Sequence, residues 1–182
     1  MIAVDGRRQR AERSRDAVVE AYIALIVDGN ARPTSSEIAE RAGVTQRTLF
    51  RHFATLDDVF AELIAHQSAV YAEFLAPIGR SGGRAARIDR LVANRVALYE
   101  SIAPVRRVAQ RTAAEQPAVA RGLRAAQRAM RKQIVELFDA DDFVAACVEH
   151  ATSFEVWERA TASGDSPALV MAALARGAFV CS

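Results

Sequence analysis

One short stretch holds Gln46, Arg47, Thr48, Arg51 and His52, side chains whose donors and acceptors suit a nucleic acid. A glutamine amide can make two hydrogen bonds to adenine in the major groove, and a guanidinium can make two to guanine. The hydroxyls of Thr45 and Thr48, the amides of a helix start, Arg51 and His52 suit phosphate oxygens. Leu49 and Phe53, four residues apart, would anchor such a helix inward and turn the polar groups elsewhere. No other chemistry stands out. There is no Ser-His-Asp pattern, Gly-rich phosphate loop or metal cluster, so neither an enzyme nor a cofactor is expected. Cys147 and His150 have the i, i+3 spacing that can share one metal, but three His and two Cys in the whole chain make metal sensing an unfavoured reading.

The elements that must position these residues are helical. Apolar residues recur at helical spacing almost everywhere, and strand alternation is almost absent. Breaks near residues 29–33, 43, 54–55, 77–83, 104, 117, 139–142 and 164–167 predict an all-α chain of about nine helices. The first spans about 16–28, and Gly29 follows it at the position of a left-handed C-cap. The second opens at Thr34, whose spacing to Glu37 is that of a capping box, and ends at Ala42, Gly43 and Val44. The third runs from Thr45, its N-cap, to about Phe53. The fourth opens at Thr55, with Asp58 completing a second capping box, and stops near Pro77. The rest are predicted over about 84–102, 104–114, from 117, 142–162 and 167–180. Ser81, Gly82 and Gly83 look like a linker.

With 182 residues, the chain can bury a substantial core, roughly 70% of its unfolded surface. A 51% apolar and 25% charged composition argues against wholesale disorder. No run approaches a membrane span and no secretory leader is visible, so a cytoplasmic protein without a membrane partner is expected. Net charge is only +2, but residues 80–132 hold 13 basic groups against 3 acids, whereas residues 1–79 hold 9 Arg against 11 acids. A nucleic-acid binder with that balance must gather its basic groups on one face.

Residues 34–63 have the grammar of a helix-turn-helix: two short helices meeting at Ala42, Gly43 and Val44. The segment resembles the DNA-binding region of TetR-type transcriptional regulators. Thr34, Ile38, Ala39, Ala42, Gly43, Val44, Thr45, Thr48, Leu49, Phe50, His52 and Phe53 match that pattern position by position. Three positions depart from it. Phe50 stands where the family often has tyrosine, Leu56 where it often has lysine, and Arg47 where it often has glycine. Phenylalanine cannot donate to phosphate, which shifts affinity toward Arg47, Arg51 and the N-terminal arm.

The resemblance implies a DNA-binding domain over 1–55, with a ligand-binding and dimerisation domain over 56–182. It implies a homodimeric regulator, most simply a repressor, on a near-palindromic operator of double-stranded DNA, released by an unknown small-molecule effector. A helix-turn-helix protein acting through a protein partner is the alternative. The expected DNA-contacting set is Arg13, Thr34, Thr45, Gln46, Arg47, Thr48, Phe50, Arg51 and His52.

Several other features carry two readings. The cluster Arg7, Arg8, Arg10, Arg13 and Arg15 is either a solvated arm or one reaching a minor groove. Arg95 interrupts the apolar stripe of Leu91, Val92, Leu98 and Tyr99, so it should be paired, with Glu149, Glu155, Glu158 or a ligand carboxylate; an internal salt bridge is the commoner outcome. Phe74, Tyr99, Met130, Phe154 and Trp157 could line a pocket with Arg95, although such aromatics are more often simply core. The last helix is apolar on nearly every face and calls for cover from a second subunit. The expected dimer interface is Phe143, Cys147, His150, Val170, Leu174 and Ala178.

Overall fold

The computed structural model describes residues 3–180. Cys181 and the side chain of Arg7 lie outside the described residues. Every regular element among the described residues is a helix: α1 (Ala3–Val27), α2 (Ser35–Arg41), α3 (Gln46–His52), α4 (Leu56–Phe74), α5 (Arg84–Thr112), α6 (Pro117–Phe138), α7 (Asp142–Ala151), α8 (Phe154–Ser163) and α9 (Pro167–Gly177).

Nine segments match the expected number, but not the expected nine. The break foreseen at Pro104 is absent, and α5 runs through it as one helix. Proline removes one backbone donor and crowds the preceding turn. Ile102, Ala103, Val105, Val108 and Ala109 are nonetheless buried on both sides of it, so packing sustains the helix where local preference would end it. Conversely, the helix foreseen over 142–162 is interrupted at Thr152 and Ser153. Ser153 caps α8 by accepting from the Val156 amide, and the freed Thr152 carbonyl accepts a 2.9 Å bond from the Tyr99 hydroxyl. α1 also begins far ahead of residue 16. Arg8 pairs with Glu12 one turn on, and Arg10 Nε donates to the Gly6 carbonyl, so the arginine arm is helical.

The chain divides into two compact units. The first comprises residues 1–68 and 104–122, the second 69–103 and 123–182, with the divisions falling inside α4, α5 and α6. In the first, α1, α2 and α3 pack on one another around Val18, Tyr22, Ile26, Ile38, Leu49 and Phe53, together with Val59, Phe60 and Leu63 of α4. The Tyr22 and Phe60 rings lie 5.9 Å apart. In the second, α9 packs on α7 and α8. Its core has two clusters, one built on Tyr99, Met130, Phe154, Trp157 and Met171, the other on Leu91, Ile134, Leu137, Val144 and Val148. Among the described residues no helix is long and apolar enough to cross a membrane.

Candidate nucleic-acid interface

The corner between α2 and α3 is set by backbone chemistry. The Gly43 amide bonds back to Glu40 and the Val44 amide to Ala39, closing the end of α2 in a Schellman motif. That motif needs a left-handed residue, and Gly43 has φ of 66°. On one side of the corner Thr34 Oγ1 accepts from the Glu37 amide while Glu37 Oε2 takes the Thr34 amide at 2.7 Å. On the other, Thr45 Oγ1 accepts from the Thr48 amide at 3.1 Å and lies 3.0 Å from the Thr48 hydroxyl. The second capping box is closed by the Thr55 amide donating to Asp58 at 2.9 Å. Two seven-residue helices that would be marginal alone are thus held by caps and by burial of Ile38, Leu49 and Phe53.

With Leu49 fully buried, the outer face of α3 presents Gln46, Arg47, Phe50 and Arg51, all exposed; Phe50 is 45% exposed. Thr34 and Thr45 are exposed beside them, and Thr48 is half-buried. His52 differs. It is half-buried, and its Nε2 is enclosed with no hydrogen-bond partner. Burial first, then the neighbouring Arg51 and Arg15, lower its pKa below the ordinary histidine value. A neutral imidazole packed under the helix supplies no charge to a phosphate.

The arginines ahead of the motif also separate by role. Arg13 is exposed and donates only to the Gln9 carbonyl of its own helix. Arg15 turns inward. Its Nη2 lies 2.8 Å from Glu62 Oε2, its Nε 3.4 Å from Glu62 Oε1, and its Nη1 3.5 Å from the His52 carbonyl. The guanidinium sits 4.6 Å from the centre of the Phe53 ring. Arg15 therefore braces α1 against the end of α3 and α4. Nothing in the spacing of residues 15 and 62 announced this pair.

In the second unit, Tyr99, Met130, Phe154 and Trp157 are packed into one cluster, with Phe74 against it. Tyr99 meets Phe154 edge-on at 5.4 Å, and Phe154 stacks on Trp157 at the same separation. Arg95, only 1% exposed, lies among them. The internal salt bridge expected of it is not formed. Nη1 donates to Asn94 Oδ1 at 2.7 Å and Nη2 to the Met130 carbonyl at 3.4 Å. Glu149 is taken instead by Arg131 and Gln127. Burial lowers the Arg95 pKa, and the fields of Tyr99 and Glu149 oppose that only in part.

Two residues not singled out from the sequence complete this network. Asn94 donates to the Phe74 carbonyl, and Gln133 donates to those of Phe74 and Ala76, so both tie down the end of α4. Gln133 sits three residues after Met130 on the buried stripe of α6. A polar residue in that phase was the available sign.

The interruption before α8 separates three residues expected at a dimer interface from two expected in the pocket. Phe143, Cys147 and His150 continue in phase into Phe154 and Trp157, yet Phe143 is 62% exposed and Phe154 only 2%. Phe143, Cys147 and His150 on α7, Leu174 on α9 and Ala178 at the C-cap of α9 line an apolar groove of about 490 Å³. Leu174 is 50% exposed, while Val170 is half-buried outside that lining. Among the described residues no group of three or more His, Cys, Asp or Glu is placed to hold a metal ion.

Two short capped helices meeting at a left-handed glycine, with a polar outer face on the second, define a helix-turn-helix protein. Residues 19–63 match the family model described as bacterial regulatory proteins, tetR family. A TetR-family transcriptional regulator from Streptomyces coelicolor superimposes with a TM-score of 0.76 at 14% identity, over 92% of this chain and 79% of that one. A transcriptional regulator from Rhodococcus sp. Rha1 gives 0.68 at 19% identity, over 93% and 94%. At such identities the likeness is one of fold. Residues 19–63 are thus a TetR-type helix-turn-helix region, carried on a chain with the all-helical fold of TetR-family regulators.

Proposed function

We propose that the protein is a sequence-specific DNA-binding transcriptional regulator that works as a homodimer in the cytoplasm. Its action would be that of a repressor, released from a near-palindromic operator by a small-molecule effector. The observation that carries this reading is the outward face of α3: Gln46, Arg47 and Arg51 are exposed on a helix whose Leu49 is locked into the core. Arg47 would read guanine and Gln46 adenine. Arg51, Thr45 and Arg13 would hold backbone phosphates.

The remaining parts of the reading follow from physical need. Two recognition helices must be held roughly 34 Å apart, or a multiple of that, to meet successive major grooves. The apolar groove between α7 and α9, with Phe143 and Leu174 at its surface, is a face that a second copy would cover by a two-fold contact. Residues 1–55 would then read DNA, and 56–182 would bind the effector and dimerise. An effector shifts the equilibrium only by its differential affinity for the two states. Arg95, held by neutral partners in an aromatic setting, is the side chain best suited to an effector carboxylate.

The test is selection of bound duplexes from a random library, followed by titration of base-substituted sites. Arg47→Ala should weaken specific binding by about 1–3 kcal/mol and relax preference at one base pair. An unaltered preference across site variants removes Arg47 from base reading. Failure to enrich any sequence removes sequence-specific binding altogether.

A further inference from the structure

We propose that the N-terminal extension of α1 and the end of α3 form a two-helix phosphate clamp. In it Arg8, Arg10 and Arg51 grip the backbone of duplex DNA beside the bases that α3 faces. The proposal rests on the DNA-binding reading above and goes beyond it. Arg8 and Arg10 lie ahead of residue 19, where the family match begins, so the match says nothing about them.

The geometry is a concavity of about 780 Å³ lined by Arg8, Arg10, Ala11, Ser14 and Arg51. Of the described residues that line it, Arg8, Arg10 and Arg51 carry a guanidinium, Ala11 and Ser14 are small, and none is a carboxylate. Its volume is many times the ~30 Å³ of a water, so a phosphodiester can enter without displacing a side chain. Glu12 of α1 pairs with Arg8 at 3.1 Å. Both side chains of that pair are largely exposed, so the contact is weak and readily exchanged for a phosphate. Arg10 uses its Nε on the Gly6 carbonyl, which fixes the stem. Arg13 and Arg15 do not line the concavity.

The occupant is set by where the site lies. Arg51 is one helical turn after Arg47, so an anion held by Arg51 sits at the edge of any duplex whose bases meet Gln46 and Arg47. Guanidinium groups in a concave site match phosphate oxygens, and phosphate contacts fix register without reading sequence. The clamp also meets the charge problem of residues 1–79, which hold more acids than bases. It gathers the guanidinium groups of Arg8, Arg10 and Arg51 in one groove, with Glu12 paired to Arg8 beside it.

The experiment uses the full chain and two duplexes of roughly 30 base pairs, about three helical turns, one selected from a library and one unrelated. Affinity is measured between 50 and 200 mM salt for the wild type, Arg8→Ala with Arg10→Ala, and the corresponding double lysine variant. Each phosphate neutralised contributes about 0.9 to the salt slope, so the double alanine variant should lose about 1.8. Over that salt range the wild type should then lose roughly twelve-fold more affinity than the double alanine variant. The lysines should restore most of the slope, and the ranking of site variants should not move. Alanine keeps α1 helical, which circular dichroism checks. An unchanged slope on both duplexes, with helix content intact, overturns the clamp alone. A wild type that binds neither duplex at any salt overturns the DNA-binding reading and the clamp with it.

Discussion

Arg15→Ala should loosen the first unit by about 1–2 kcal/mol. The figure is assembled from the contacts that the substitution deletes. The Arg15–Glu62 pair has a 2.8 Å contact and a second at 3.4 Å, but both side chains are 41% exposed. Solvent screening therefore holds the pair to about 0.2–1 kcal/mol. The guanidinium over Phe53 adds about 0.5–1 kcal/mol. The 3.5 Å contact to the His52 carbonyl is too long to add much.

Glu62→Gln should delete the ion pair and keep the cation over the ring, so it should cost less. The two changes should be non-additive by the worth of the pair. A pH series tests the cause. Hydrogen bonding to Arg15 lowers the Glu62 pKa. The carboxylate's contribution is therefore complete above the ordinary glutamate value of about 4.3 and is lost as pH falls through the lowered folded value. Arg15 has a raised pKa, so its own contribution fades only in strong alkali. The gap between wild type and Glu62→Gln should be flat near neutrality and close in acid.

The assay must watch the right unit. The single Trp157 lies in the second one, so its fluorescence is silent here. Hydrogen exchange of α1 and α3 amides, read by mass spectrometry, reports the first directly. Unchanged exchange in Arg15→Ala, or a gap that persists in acid, would refute the brace.

Three further outcomes are expected. Gly43→Ala should destabilise the corner by roughly 1 kcal/mol from left-handed strain alone, since an added Cβ meets nothing within 4 Å; hydrogen exchange showing several kcal/mol would mean a hidden clash. Tyr99→Phe leaves the buried Thr152 carbonyl without its 2.9 Å donor and should cost about 1–3 kcal/mol; urea unfolding followed by Trp157 measures it, and no loss would mean that water replaces the hydroxyl. Leu174→Arg places a charge in the groove between α7 and α9 and should convert the proposed dimer to monomer; an intact dimer in sedimentation removes that face from the interface.

The helix-turn-helix was legible because its determinants are local. Thr34 with Glu37, Thr45 as N-cap, and Gly43 at the corner each act within four residues: the two threonines make their capping bonds, and Gly43 takes the left-handed turn. Where partners are distant, the sequence was mute or misleading. Pro104 is an expected terminator, yet buried neighbours on both sides carry the helix through it. The interruption at 152–153 holds no glycine or proline, and the hydroxyl that serves its freed carbonyl comes from residue 99. The partners of Arg95 are a neighbouring amide and a carbonyl from α6, which charge counting could not suggest. The helical state of the arginine arm has no apolar stripe to mark it; Arg8 with Glu12 supports the helix through polar pairing.

The interruption before α8 has a consequence for what this sequence could become. Residues 143, 147, 150, 154 and 157 form one unbroken heptad row, and a straight rod would have to send all five the same way. The kink lets a single stripe serve two customers: its first half stays at the surface and its second half closes the interior. Any change that straightened 142–163 would force a choice, either burying Phe143 or stranding Trp157 in water.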